Sequence, residues 1–331
     1  MRRPRLGGAT FCVLCCSSGL SSAGLANEGL GVDDLFGLVQ RSKLGRRVDA
    51  GSKDVIYFMH IPRTSGTSFA LDASRLIWGL RMESKEGCYA WRERIPGATR
   101  VATMVREPTA HVLSQHAYCS EGSIAWQAKV PGFREWVDAW TGLQANGTVV
   151  GDFSAGGHDQ LHHQRFVTWT SLPFKCYNPA NLQSQHFTCE RPFRYPARPD
   201  LGLALRNLRS AWFVGVAEAY LESLCLFHAK LEGTLLPFCD CEDPEQRGAF
   251  APTHVSRRPA ADHLGPRSPG DEERAAAQSA VEGLTSADRA LYAAAVRRFL
   301  AEVRAAEEDF GVRILCGERA ALLEAAAGKA A

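Results

Sequence analysis

Hydrophobic positions along the chain fall into separated runs, and two periods account for them. Val55, Ile56, Tyr57, Phe58 and Met59 form a continuous apolar run bounded by turn residues, the pattern of a strand buried on both faces of a parallel sheet. Residues 101–105 and 212–216 repeat it. Between these runs the spacing turns helical. Residues 67–80 direct Phe69, Leu71, Leu76, Ile77 and Leu80 toward a sheet, with Trp78 assigned to the core. A helix over 109–118 follows Pro108, whose missing N–H fits a first helical turn. Residues 217–231 turn Leu221, Leu224, Cys225 and Phe227 inward, and Thr285 caps a long helix through Asp309 whose stripe includes Leu291, Val296, Phe299 and Val303. Strands alternating with helices predict an α/β fold, three layers α/β/α around a central parallel sheet.

The intervening segments are polar. Residues 81–100 are placed across the mouth of a site, 27–53 as a tether, 243–280 as a Pro-, Gly- and charge-rich loop, and 317–331 as an Ala-rich tail. With 331 residues, 45% of them hydrophobic, the chain can bury a sizeable core and is not a disordered protein. A formal charge of +2 argues against bulk nucleic-acid binding, so any basic site must be local.

The local site starts where the first strand ends. A strand feeding a tight turn into a helix aims the first backbone N–H groups of that helix at the turn, which suits a phosphate or sulfate. Arg63, Thr64, Ser65, Gly66, Thr67 and Ser68 occupy that turn, one fixed charge and four hydroxyls around one Gly. The nucleotide-binding pattern GxxxxGK[ST] fails for want of the first Gly and the Lys. Arg106 ends the second strand, at the edge where open α/β sheets bind ligands.

The N-terminus has Arg2, Arg3 and Arg5 ahead of an uncharged stretch, 6–26, a layout that reads as a signal peptide or a weak membrane anchor, with a disordered leader as the alternative. Of eleven Cys, eight lie beyond it, an even set compatible with lumenal disulfides. Cys239 and Cys241 have zinc-like proximity but lack a second pair at ligand spacing. Asn146 opens a glycosylation sequon, and His158, His162 and His163 cluster in GHDQLHHQRF. Trp126, Trp136, Trp140 and Trp169 suit either sugar stacking or core packing.

HIPRTSGTSF at 60–69 resembles the 5′-phosphosulfate loop of the sulfotransferases, in the HIPKTGGTTF form of the Golgi heparan sulfate 2-O and 6-O group and related algal-type sequences, with Arg63 in place of Lys. TMVREPTAHVLSQ resembles the 3′-phosphate segment of the same family, with Arg106 and Ser114 eight positions apart. The stretch 176–189 resembles an N-x-Q-T-R segment of that group but departs from it at Gln185-His186, so no cofactor contact is carried over there. Its two flanking cysteines, Cys176 and Cys189, are expected to close a disulfide loop. The resemblance spans about 54–316 and implies a P-loop-like sulfotransferase fold and transfer of a sulfuryl group from 3′-phosphoadenosine 5′-phosphosulfate (PAPS) to a hydroxyl. No metal is required.

Arg63 would then meet the leaving phosphate oxygen, and the turn residues with Arg106 and Ser114 would hold the nucleotide. The family's catalytic His lies between the two loops, and this chain has no His there. Glu86 is the candidate base, followed by Glu83, His111 and His162. In the late loop, His254, Arg257 or Arg258 could close over the nucleotide. The secretory signals tilt the acceptor toward a glycan. A catalytically inactive PAPS- or glycan-binding relative and a small-molecule kinase are the alternatives.

Overall fold

A computed structural model describes residues 55–121, 130–145, 177–189, 198–253 and 270–328. The chain runs β1 (Val55–Met59), α1 (Gly66–Leu76), β2 (Met82–Lys85), a 3-10 turn Tyr89–Arg94, β3 (Ala98–Val105), α2 (Pro108–Glu121), α3 (Phe133–Ala145), α4 (Leu182–Thr188), α5 (Leu201–Ser210), β4 (Phe213–Val216), α6 (Tyr220–Glu232), α7 (Pro244–Gly248), α8 (Asp271–Leu284), α9 (Ser286–Phe310) and α10 (Gly317–Gly328). The strands form one all-parallel sheet in the order β2-β1-β3-β4, so the fold is α/β as the alternation predicts. From β1 the chain first winds outward to β2, then crosses back to lay β3 on the other side of β1. That reversal puts a crevice beyond the carboxyl ends of β1 and β3, where open parallel sheets bind ligands.

Alternation along β1 separates the two faces. Phe58 packs on Phe69 of α1, which in turn contacts Phe213 and Phe227, with ring centroids 5.2–5.5 Å apart. Tyr57 points to the other face and donates its hydroxyl to the Cys88 carbonyl (3.1 Å). A second core joins α2, α3 and α8 through Val112, Trp136, Trp140 and Val281, so Trp136 and Trp140 are core residues.

Several expectations need correction. α1 stops at Leu76, and the chain turns through Gly79 at φ 74. Trp78 is fully exposed and Leu71 nearly half so, because the buried stripe is Phe69, Ala73 and Ile77. The stretch 81–100 contains β2, an edge strand whose side chains are only partly buried and which therefore carries no apolar run (MESK). Parts of the expected loop 243–280 are the helices α7 and α8, and the expected tail is α10, whose Leu323 is buried. Thr285 makes no side-chain cap. Its hydroxyl donates back to the Val281 carbonyl (2.7 Å).

Cys189 pairs with Cys88 and not across its own helix, because α4 packs on the 3-10 turn that follows Cys88. Cys239 and Cys241 join Cys225 and Cys316 in two further disulfides. Such bonds mark folding in an oxidising, secreted or lumenal compartment. Among the described residues no helix is long and apolar enough to cross a membrane.

Candidate functional site

The turn after β1 is held from below. Ile61 and Pro62 are buried, and Thr64 is buried with its hydroxyl donating to the Ile61 carbonyl (2.8 Å). Thr64 therefore braces the turn and does not offer its hydroxyl outward, which corrects its expected role. Arg63 and Ser65 adopt left-handed φ of 65° and 67°, a conformation that costs a side-chain-bearing residue about 1–2 kcal/mol. The first helical bond of α1 runs from Phe69 N to Ser65 O (3.0 Å). The N–H groups ahead of it belong to the helix start and its positive dipole end. Thr67 is exposed there, with Ser65 and Ser68 half-buried beside it.

The second loop closes on the first. Arg106 follows β3, and its Nη1 donates to the Arg63 carbonyl (3.1 Å), while Arg63 Nε donates to Ser114 Oγ (3.2 Å). The Arg63 guanidinium also lies over the Tyr118 ring, 4.7 Å from its centroid. Ser114 and Tyr118 are four apart, so one face of α2 carries both. Arg63 thus meets Arg106 and Ser114, 43 and 51 residues later in the chain, at the crevice. Burial lowers the Arg106 pKa, Glu218 pulls it back up and Arg63 lowers it further. Arg keeps its charge throughout the physiological range. Two adjacent guanidiniums with a helix N-terminus make a pole that favours a multiply charged anion.

Gln183 is the residue sequence reasoning missed. Its Oε1 accepts from Arg106 N (2.9 Å) and its Nε2 donates to Arg106 O (2.8 Å), clamping that residue's backbone. Gln183 is fixed in turn by α9: Asp288 accepts from the N–H groups of Gln183 (3.1 Å) and Ser184 (2.7 Å), and Asn181 Oδ1 accepts from those of Ala287 (2.8 Å) and Asp288 (3.1 Å). The signal was present in the N-x-Q resemblance. The adjoining Gln185 and His186 are buried structural groups, bonded to the carbonyls of Ala180 (2.9 Å) and Gly87 (2.8 Å).

His111 cannot act as a general base. Its Nε2 bonds the Pro62 carbonyl at 2.7 Å, so that nitrogen donates, and burial lowers its pKa to about 3, with Arg106, His186 and Arg63 acting in the same direction. Glu83 sits in the edge strand, half-exposed and paired with Lys85 (2.8 Å), away from the loops. Glu86 follows the end of β2 on the ligand-binding edge, largely buried, with Oε1 3.5 Å from His60 Nδ1. The imidazole of His60 lies against Gly66: a Cβ there would come within 2.2 Å of its Cδ2. Gly66 is therefore required by close packing of His60 under the start of α1. Residues 158, 162, 163, 254, 257 and 258, and the sequon at 146, lie outside the described residues.

No protein-family model matches the chain, and no curated protein matches it.

Proposed function

We propose that the protein is a PAPS-dependent sulfotransferase that sulfates a hydroxyl of a carbohydrate acceptor in the secretory pathway, with the Golgi lumen as its site of action. The observation that carries this reading is the interlock of Arg63, Arg106 and Ser114 at the carboxyl ends of adjacent parallel strands. A nucleotide phosphorylated at both 3′ and 5′ positions has two anionic ends. The α1 turn with Arg63 suits one, and Arg106 with Ser114 suits the other. The disulfides fit a lumenal enzyme.

PAPS, when bound, supplies a sulfuryl group on a phosphate leaving group. Arg63 neutralises charge on the departing phosphate oxygen, and the N–H groups at the start of α1 hold the anion in line. Glu86 takes the proton as the acceptor O–H breaks and the new O–S bond forms, while the electron pair of the old S–O bond leaves on phosphate. His60 holds the Glu86 carboxylate in place. The transferred group is singly charged, so no metal step is invoked.

The test is isothermal titration of the full chain with 3′-phosphoadenosine 5′-phosphate beside ADP and ATP, for wild type, Arg106→Lys and Ser114→Ala. Preference for the 3′-phosphorylated nucleotide, weakened in both variants, is expected. Equal or tighter binding of ATP would overturn the reading in favour of a kinase. Binding without transfer of labelled sulfate to any glycan would leave an inactive relative.

A further inference from the structure

One stripe of α2 grips the turn after β1. His111, Ser114 and Tyr118 follow one another at intervals of three and four residues, so successive turns of α2 present them on one side. His111 Nε2 bonds the Pro62 carbonyl (2.7 Å), Ser114 Oγ accepts from Arg63 Nε (3.2 Å), and the Tyr118 ring centroid lies 4.7 Å from the Arg63 guanidinium carbon. Arg106 holds the Arg63 carbonyl (3.1 Å). Arg63 is thereby fixed at its carbonyl, at Nε and on one face of its plane. Among the described residues its two Nη groups bond nothing.

A hydrogen bond at Nε fixes one atom of the guanidinium and leaves the plane free to turn about it. A ring beneath the plane removes that freedom, and a cation–π contact uses the face of the guanidinium without consuming its in-plane N–H groups. Tyr118 is itself braced. It is half-buried, packs against the second core, and its ring centroid is 6.0 Å from that of Tyr177. Among the described residues its hydroxyl bonds nothing, so what the side chain offers Arg63 is its ring. A Lys at this position would present a single ammonium, with no plane to orient and no fork to offer.

We propose that Tyr118 is a positioning residue of the candidate site. By fixing the Arg63 plane it holds the two Nη groups as a fork for paired oxygens of the bound phosphate, and it makes Arg, not Lys, the cation that this turn requires. The proposal rests on the sulfotransferase reading for the identity of the anion. The coupling of Tyr118 to Arg63 belongs to the chain itself and is readable on any phosphate that the turn binds.

The experiment is titration of the full chain with 3′-phosphoadenosine 5′-phosphate and with ATP, for wild type, Tyr118→Phe, Tyr118→pentafluorophenylalanine and Arg63→Lys. The fluorinated ring keeps the shape of Phe and reverses the charge on its face, so a packing role and a cation–π role separate. Tyr118→Phe is expected to retain affinity within about threefold, while the fluorinated variant loses about fivefold or more against it. Arg63→Lys, which keeps the charge, is expected to lose about tenfold or more. Equal affinity of the Phe and fluorinated variants overturns the proposal, and so does wild-type affinity with Lys at 63. Preference of wild type for ATP sinks the sulfotransferase reading alone, because the two rings are then compared on ATP. A reading without ligand covers a chain that binds neither. Arg63 should react faster with an arginine-modifying dicarbonyl in the fluorinated variant than in Tyr118→Phe, followed by mass spectrometry, and equal rates overturn the proposal whatever the chain binds.

Discussion

Acidification should loosen the very turn that carries the candidate site. His111 and His186 are buried with their pKa values lowered to about 3 and about 4, against ~6.5 in an unfolded chain. The folded state therefore binds fewer protons, and the stability these groups contribute is present above pH 6.5 and is lost as pH falls below it. At pH 5 each has forfeited about 1.5 units, or about 2 kcal/mol. Asp288 acts in reverse. Burial raises its pKa to about 6, so its contribution is fully present below the unfolded value of ~3.9 and is lost as pH rises through 6. Moving from pH 7.5 to 5 thus returns about 1 kcal/mol from Asp288 and leaves a net loss of about 3 kcal/mol from the three groups together. Urea unfolding of wild type and His111→Gln at both pH values isolates the His111 share, since Gln can still donate to the Pro62 carbonyl without titrating. The variant should lose about 2 kcal/mol less on acidification than wild type. Identical pH dependence in the two proteins would refute the reasoning.

Substitutions at three positions probe the frame of the site. Gly66→Ala drives a methyl into the His60 ring, 2.2 Å from Cδ2, and should cost about 1–3 kcal/mol in thermal unfolding while weakening nucleotide binding. Ser65→Gly removes the left-handed strain at φ 67 and should stabilise by roughly 0.5–1 kcal/mol after the added chain entropy is discounted, measured as a higher midpoint in urea. Asn181→Ala loses the acceptor for Ala287 and Asp288 and puts Ala at φ 51, for a loss of about 2–3 kcal/mol. Asn181→Gly should lose clearly less, because only the cap is gone.

The sheet was legible where burial is two-sided and illegible where it is not. The β1, β3 and β4 runs are continuous apolar stretches, β4 because both of its faces are covered although it too is an edge strand, but β2 reads MESK because its side chains are only partly buried. Trp78 misled because a large apolar residue one turn past a buried stripe looks like part of it, whereas α1 has already ended at Leu76. That Arg63 and Arg106 lie together was legible because each follows the end of a strand, whereas Ser114, inside α2, was marked only by its spacing from Arg106 in the family resemblance. The inward turn of Thr64 was not, since a hydroxyl that braces a loop and one that serves a ligand carry the same letter. His60 could have been found by alternation from Ile56 and Phe58, but the 3.5 Å approach to Glu86 depends on β2, the strand without an apolar signature.

The placement of Arg106 shows why the rest lay beyond local reading. Its backbone is gripped by Gln183, the N–H of Gln183 is held by Asp288, and the start of α9 is held back by Asn181. Each helix supplies the side chain that satisfies the other's first N–H groups, so neither end is complete alone. A site at the end of β3 is thereby set by a helix that begins 180 residues later in the chain than Arg106, as the difference between positions 286 and 106 gives. Arg106 in turn holds the Arg63 carbonyl, so the geometry of the first loop inherits that of the last long helix. Removing α9 should therefore abolish anion binding at the turn after β1, even though the turn itself retains every residue that marked it in the sequence.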